Sequence, residues 1–157
     1  MTQDKIDEIL IQWERESPQL DLSSLAVIGR ILQLSRLLEK QRESVLADFD
    51  LTLWSFDMLA TLRRQGPPYQ LKPTELYGLL MLSSGAMTNR IDRLEKAGLV
   101  TRLRDPNDRR SVTVQLTNKG LEQVDNVMPV LFEQENQLLE NLSKTETKTL
   151  ISLLKKF

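Results

Sequence analysis

The chain has 157 residues, 40% of them hydrophobic and 27% charged, with 21 Lys and Arg side chains against 22 Asp and Glu. These proportions are ordinary for one compact domain, and the near-neutral balance argues against a protein that coats nucleic acid by charge alone. The absence of both Cys and His excludes disulfides, thiolate metal sites, and catalysis by a His base or a His-dependent triad.

Two helices are predicted at the start of the chain. Residues 3–15 carry apolar side chains at helical spacing, which predicts a short amphipathic helix. The dipeptide Ser17-Pro18 ends it, because Pro cannot continue the helical hydrogen bonds and the residue before Pro avoids the helical region. A long helix over residues 23–49 has apolar positions on more than one face, so we expect it to pack against more than one neighbour.

Two shorter helices are predicted next. Thr52 is placed to cap a helix over residues 55–64, which the Gly66-Pro67-Pro68 turn closes. Pro73 fits the first position of the following helix, where its missing N–H costs nothing.

The centre of the chain is its most informative stretch. A helix over residues 84–97 is predicted, with Ser83 as its N-cap and Gly98 as the glycine that terminates it. Two short strands follow around a charged turn, and the second, Ser111–Leu116, alternates strictly. Helix, turn, helix and two strands is the order of a winged helix-turn-helix, a device for reading double-stranded DNA. We therefore predict a mainly helical α+β fold with a DNA-binding module over residues 50–117.

The distribution of charge supports DNA binding. Residues 61–110 carry 10 basic and 5 acidic side chains, a net of +5. Residues 1–60 carry 6 and 11, a net of −5, and residues 111–157 carry 5 and 6, a net of −1. The basic charge is therefore concentrated on the predicted module, as neutralisation of phosphates requires. The alternative for an isolated basic run is a solvated surface, and its coincidence with a groove-reading topology favours DNA.

The helix over residues 84–97 has two distinct faces. Its apolar residues Met87, Ile91 and Leu94 are spaced to face the core. The opposite face, which we assign to DNA together with the cap Ser83, carries Ser84, Gly85, Thr88, Asn89, Asp92 and Arg93, with Arg90 near the boundary. Small residues let a helix approach the major groove, and its free N–H groups favour a phosphate. Asn pairs with adenine and Arg with guanine, so Asn89 and either Arg93 or Arg90 are the expected base readers. Taken singly, each of these residues is more often merely exposed.

The strands and their turn are predicted to make further DNA contacts. Arg102 and Arg104 on the leading strand are expected to meet phosphates. At the tip, Asp108 is placed to hold a neighbouring Arg by an ion pair, and Arg109 and Arg110 are presented to the adjacent minor groove. The alternative is a hairpin that is only solvated.

Long helices are predicted again after the hairpin. Thr117 begins one that is interrupted at Pro129, and the capping box Ser143-Lys144-Thr145-Glu146 opens the last. The terminal helices, over residues 1–49 and 118–157, would leave wide apolar faces if they packed only on the central module. Pairing with a second copy would bury them, which predicts a homodimer, and the alternative is that they close one monomer's core.

Several function classes are not expected. No Gly-rich phosphate-binding motif is present, and carboxylates alone are a poor zinc site, so we expect no catalytic residues, no metal and no cofactor. No apolar run approaches the ~20 residues that span a bilayer, and the first residues are too acidic for a signal peptide. We expect a cytoplasmic protein without a membrane partner.

These features resemble the MarR (multiple antibiotic resistance regulator) family of bacterial transcriptional regulators. The matching stretches are Leu51-Thr52, Asp57-Met58-Leu59, Pro73-Thr74-Glu75-Leu76, residues 82–95, Gly98-Leu99-Val100, residues 105–110 and residues 116–120. The resemblance covers about residues 30–155. It implies a homodimer formed by the terminal helices, a recognition helix over residues 84–97 and a wing with Arg109 and Arg110. It also implies repression at a palindromic operator and release by a small, often phenolic, ligand such as salicylate.

A narrower resemblance is to the urate-responsive PecS/HucR-like branch of that family. The branch adds an N-terminal helix with a Trp, matched here by Trp13, and combines it with residues that match Asp57, Arg63 and Arg90. These groups suit a flat anion: indole stacks a ring, guanidinium pairs with an oxyanion and a carboxylate accepts from ring N–H groups. The alternatives are that Trp13 is an ordinary core residue and that Asp57 merely pairs with an Arg.

Two rival functions stay open at this stage. One is a constitutive DNA-binding regulator of the same fold without ligand response. The other is a winged helix used for protein–protein contact, which the salt dependence of binding to duplex DNA would distinguish.

Overall fold

The computed structural model describes residues 3–80, 84–104 and 112–157, with the backbone alone for residues 84–87. Its helices and strands are, in chain order, α1 (Lys5–Glu16), α2 (Ser23–Ala47), α3 (Leu53–Arg63), β1 (Gln70–Leu71), α4 (Pro73–Leu80), α5 (Ser84–Lys96), β2 (Val100–Arg104), β3 (Val112–Leu116), α6 (Asn118–Leu138) and α7 (Lys144–Leu154). The mainly helical fold with a small antiparallel sheet confirms the predicted class. Two compact units, residues 1–42 and 43–157, make up the chain.

In the first unit, ion pairs and a close apolar contact hold α1 against α2. Arg30 on α2 donates from Nε to Asp4 Oδ2 at 2.9 Å and also binds Asp7. Asp4 is itself the N-cap of α1, so the ion pair holds the start of that helix. Beside it, Ile6 is buried against Gly29, where a Cβ would lie 3.2 Å from Ile6 Cδ1.

In the second unit, the core is built around α3. Its inward side chains include Phe56, Met58, Leu59 and Leu62, all buried. Thr52 caps this helix through a capping box with Ser55, as a polar residue before an apolar run predicts. The helices α4 and α6 and the strand β3 pack on α3, which makes it the scaffold on which the hairpin and α5 are mounted.

The sheet has one more strand than the sequence predicted. Its order is β1-β3-β2, with both pairings antiparallel, and β2 and β3 form the predicted hairpin. The additional strand β1 pairs Gln70 with Gln115 and Leu71 with Val114. Two residues are too few for an alternating pattern to show, so only the pairing with β3 reveals β1 as a strand.

The predicted interruption at Pro129 was wrong. The helix α6 runs without a break from Asn118 to Leu138 with Pro129 inside it. A proline in the interior of a helix destabilises that helix by about 3 kcal/mol relative to alanine. Here Val127 and Leu131, on either side of it, are buried in the core. This packing holds both halves of the helix against the rest of the unit, and the burial offsets the lost hydrogen bond.

The ends of the chain carry many exposed apolar side chains. The helix α7 has no buried residue, and Leu150, Ile151, Leu153 and Leu154 are each 38–50% exposed. Further large apolar residues are exposed on α1, α2 and α6, among them Ile11, Val27, Leu32, Leu37, Val130 and Phe132. Among the described residues, no helix combines the length and apolar character needed to cross a membrane.

Candidate nucleic-acid interface

The helix α5 presents a polar face to solvent. Ile91 and Leu94 are buried, whereas Thr88, Asn89 and Arg93 are exposed. The split between the two faces follows the spacing of the apolar residues, as predicted. The exposed face therefore offers a hydroxyl, an amide and a guanidinium side by side, which are groups that bind base edges and phosphates.

Part of the predicted DNA surface lies outside the described residues. These residues are Ser83, which precedes α5 in the sequence, and Asp108, Arg109 and Arg110, which come between β2 and β3 in the sequence. The backbone of Ser84 and Gly85 belongs to α5, and the side chains of residues 84–87, which include Met87, are not described.

Arg90 lies between the two faces of α5. It is half-buried, and its guanidinium carbon lies 5.5 Å from the ring centroid of Trp54 on α3. Such a cation–π contact is worth about 0.5–2 kcal/mol. Arg90 thus joins α5 to α3 in addition to any role toward a ligand or DNA.

The carboxyl end of α5 is fastened to the start of α6. Gly98 ends the helix with a φ of +72°, the left-handed conformation that favours glycine. The Thr117 hydroxyl donates to the Gly98 carbonyl at 2.7 Å, and Lys119 Nζ donates to the Ala97 carbonyl at 2.9 Å. Thr117 is at the same time the N-cap of α6. Carbonyls that a helix end leaves unpaired therefore find their partners in the next helix.

Gly120 makes this junction possible. A Cβ there would lie 2.0 Å from the Leu99 carbonyl oxygen, so only glycine lets the two backbones approach. Its N–H donates to the Thr117 hydroxyl at 3.0 Å. The sequence predicted no role for Lys119 or Gly120, although both belong to residues 116–120, one of the stretches on which the family resemblance depends.

Arg102 on β2 is bound to α5 by charge. Its guanidinium forms ion pairs with Asp92 and Glu95, and its backbone N–H donates to Glu95 Oε1 at 3.1 Å. Burial by itself would lower the pKa of Arg102, but the hydrogen bonds that its guanidinium donates to the two carboxylates outweigh burial and raise the pKa. The side chain is only 28% exposed. A contact between Arg102 and phosphate stays a prediction, and the partners of the guanidinium in this structure are Asp92 and Glu95.

Arg104, two residues further along β2, has different surroundings. It is exposed, and it forms no ion pair with any residue in the described ranges. Because alternate residues of a strand share a face, Arg102 and Arg104 start from the same side of the hairpin. Toward the described residues, the Arg104 guanidinium is therefore open to a phosphate contact.

The residues predicted to bind a ligand are found in both units. In the first unit, Trp13 on α1 is 47% exposed, so it is not an ordinary core residue of that unit. In the second, Arg63 donates from Nε to Asp125 Oδ1 on α6 at 2.7 Å and lies 5.1 Å from the Tyr69 ring centroid. The hydrogen bond with Asp125 raises the pKa of Arg63. Asp57 is half-buried on α3 and has interactions of its own.

No metal centre is found in the part of the chain that the structure describes. No group of three or more acidic side chains there could hold a metal ion. The arrangement around α5 has the parts of a polyanion-binding surface, with an exposed polar helix face beside a strand that carries the exposed guanidinium of Arg104.

Comparisons with known proteins agree with this geometry. A family model described as the MarR family matches residues 51–112. The HTH-type transcriptional regulator PecS of Dickeya dadantii (strain 3937) is 37% identical over 150 residues, which cover 96% of this chain and 90% of PecS. The multiple antibiotic resistance protein MarR of Escherichia coli (strain K12) is 34% identical over 82% of this chain and 89% of its own length.

Solved structures show the same fold. A mutant MarR from E. coli complexed with operator DNA superposes with a TM-score of 0.73 at 31% identity, covering 87% of this chain and 98% of that one. AbsC, a MarR family transcriptional regulator from Streptomyces coelicolor, superposes with a TM-score of 0.79 at 27% identity, covering 87% and 93%.

Proposed function

This chain belongs to the MarR family of DNA-binding transcriptional regulators, and we propose that it is a dimeric repressor that recognises a palindromic operator through α5. Its relatives are transcriptional regulators and not enzymes. The observation that carries the proposal is the polar face of α5, on which Thr88, Asn89 and Arg93 are exposed to solvent. The operator complex of the related MarR supports the same use of the fold.

The proposal assigns distinct roles to the helix and to the hairpin. Asn89 and Arg93, with Arg90 as the alternative guanidinium, read base edges in the major groove, while Thr88 and the start of α5 meet the backbone. Arg104 neutralises a phosphate. Arg109 and Arg110 remain assigned to the minor groove from the sequence alone.

The salt dependence of DNA binding tests the interface as a whole. We expect the affinity for random duplex DNA to fall steeply as salt rises, because each neutralised phosphate releases counterions. Binding that does not respond to salt would favour the rival use of the fold for protein–protein contact. Selection of bound sequences from a random duplex pool then supplies the operator with which variants are compared.

Asn89→Ala and Arg110→Ala are expected to affect DNA binding differently. Loss of Asn89 removes discrimination of roughly 1–3 kcal/mol at one base-pair position and leaves the salt slope unchanged. Loss of Arg110 weakens binding to all sequences and makes the slope shallower by about 1. Both are read from titrations of the selected duplex and its single-base variants at several salt concentrations. Wild-type affinity and discrimination in both variants would show that the groove assignment is wrong.

Dimerisation is proposed for the apolar residues left exposed on the terminal helices. The exposed apolar residues of α7, together with those of α1, α2 and α6, exceed the scattered apolar residues that a monomer surface normally carries. Residues 1–49 and 118–157 are therefore assigned to the dimer interface. A dimer also supplies two copies of α5, which match the two halves of a palindromic site.

A small aromatic anion is proposed as the signal that releases DNA. Arg63 is bound to Asp125 and Arg90 lies against Trp54, so an oxyanion attracted to either guanidinium competes with a contact that fixes α3 or α5. Because Arg90 is on α5 itself, the competition reaches the DNA-binding surface directly. A ligand that binds the DNA-incompetent state ~100-fold better shifts the equilibrium by about 2.7 kcal/mol.

Titration with urate, xanthine and salicylate tests this signal. We expect at least one of them to release bound duplex DNA and to quench the fluorescence of Trp13, which the sequence assigns to the ligand. Trp13→Phe should weaken the response and leave DNA affinity intact, and it also separates the Trp13 signal from that of Trp54. If Asp57→Ala and Arg63→Ala both respond as the wild type does, the ligand site lies elsewhere. No release by any of the three anions would favour a constitutive regulator.

A further inference from the structure

Arg102 binds the strand β2 to the helix α5 through both its side chain and its main chain. Its guanidinium binds the carboxylates of Asp92 and Glu95, and its main-chain N–H also donates to Glu95. The two carboxylates lie three residues apart on α5, so they share one side of the helix. The main chain of the hairpin and a side chain from it are thus both bound to the second half of α5.

The same bonds limit what Arg102 can offer to DNA. The Nη1 and Nη2 groups, which would form a forked pair with a phosphate, are each bound to a carboxylate. A phosphate that approached would also meet the negative charge of Asp92 and Glu95, which weakens its attraction to the guanidinium. Arg104 on the same strand is exposed and forms no ion pair with a described residue.

We propose that Arg102 is a positioning residue that acts on DNA through Asp92 and Glu95 and does not itself contact phosphate. It fixes the angle between α5 and the hairpin, so that the helix and the hairpin fit the duplex together. The inference rests on the proposed DNA-binding role of α5 and assigns a role within that interface.

The coupling between Arg102 and the two carboxylates distinguishes positioning from direct contact with phosphate. If Arg102 works only through the two carboxylates, its removal has no further effect once they have been replaced by neutral amides. If it contacts phosphate, its removal weakens binding equally in either background. A double-mutant cycle separates these cases, because residues that act as one network are not additive.

The experiment compares Arg102→Ala in the wild-type chain and in the Asp92→Asn/Glu95→Gln chain. Dissociation constants are measured for a duplex selected from a random pool and for a scrambled duplex of the same composition, over a range of salt. We expect Arg102→Ala to weaken binding to the selected duplex by about ten-fold in the wild-type background, with the salt slope unchanged. In the amide background the same substitution should change the affinity by less than about two-fold.

Arg104→Ala is the matched control, since it removes the same charge from the same strand. It should weaken binding to both duplexes and make the salt slope shallower by about 0.9. Arg102→Lys keeps the charge and loses the two-carboxylate geometry, so it should behave like Arg102→Ala. Thermal unfolding of each variant confirms that the folded chain is being compared.

An equal loss in both backgrounds, or a slope for Arg102→Ala as shallow as that of Arg104→Ala, would overturn the inference. Wild-type affinity in Arg102→Lys together with a lower slope in Arg102→Ala would also overturn it, in favour of a direct phosphate contact. Failure of the unsubstituted chain to bind duplex DNA in a salt-dependent way would instead contradict the DNA-binding role itself.

Discussion

Gly120→Ala is expected to lower the free energy of unfolding by about 3 kcal/mol or more, which places it among the most damaging single substitutions. The added Cβ would lie 2.0 Å from the oxygen and 2.9 Å from the carbon of the Leu99 carbonyl. Both are backbone atoms, so no side-chain rotation relieves the clash. The same carbonyl accepts from the Thr117 N–H, and the Leu99 N–H donates to Leu94, so moving it would disturb the end of α5 as well.

Gly78→Ala is the control for this substitution. Gly78 also lies in a helix, α4, but a Cβ there would meet no atom of the described residues within 4 Å. Replacing a helical glycine by alanine at an open position raises the free energy of unfolding by roughly 0.5–1 kcal/mol. Chemical denaturation of both variants, with DNA affinity measured on the folded fraction, checks the pair. If Gly120→Ala unfolded at the same denaturant concentration as the wild type, the close junction between α5 and α6 would be contradicted.

Leu150→Glu/Leu154→Glu is expected to convert the protein to a monomer and to weaken operator binding by ~100-fold or more. The two residues lie four apart on α7, where both are exposed, and so share one face. Carboxylates placed in an apolar interface must lose their hydration without gaining partners, which costs several kcal/mol for each charge. A monomer then binds one half-site and loses the gain in affinity that the linked second half-site supplies.

Thr145→Glu/Ser152→Glu is the matched control for the dimer. Both positions are exposed on α7 and point away from the face of Leu150 and Leu154, and the variant adds the same two charges. It should remain dimeric and bind the operator as the wild type does. Light scattering at micromolar concentration gives the mass, and titration of the selected duplex gives the affinity. A monomeric wild-type chain, or a dimeric Leu150→Glu/Leu154→Glu variant, would exclude α7 from the interface.

Features set by neighbours in the sequence were predicted correctly. Thr52, Thr117 and Ser143 are N-caps because a short polar side chain accepts from backbone N–H groups two or three residues ahead. Gly98 ends α5 because it adopts a positive φ. The spacing of Ile91 and Leu94 assigned the buried face of α5 in the same way. These local rules were enough to predict the winged helix and its exposed face.

Features set by partners distant in the sequence were not predictable in this way. The strand β1 exists through its pairing with β3, and α6 passes through Pro129 because core packing on either side holds it. The partners of Arg102, the Lys119 bond to Ala97 and the close approach at Gly120 all join residues from different elements.

The sequence by itself therefore determined the caps at Thr52, Thr117 and Ser143, the end of α5 at Gly98 and the buried positions Ile91 and Leu94 of that helix. Only the tertiary structure decided that Arg102 is bound to carboxylates of the protein, whereas Arg104 is exposed and forms no ion pair with a described residue. Helix caps and turns depend on backbone preferences within a few residues, which a sequence displays directly. The surroundings of a guanidinium depend instead on which residues the folded chain brings within about 4 Å of it. Arg102 and Arg104 are therefore the same residue type on one strand, but only Arg102 is bound to Asp92 and Glu95.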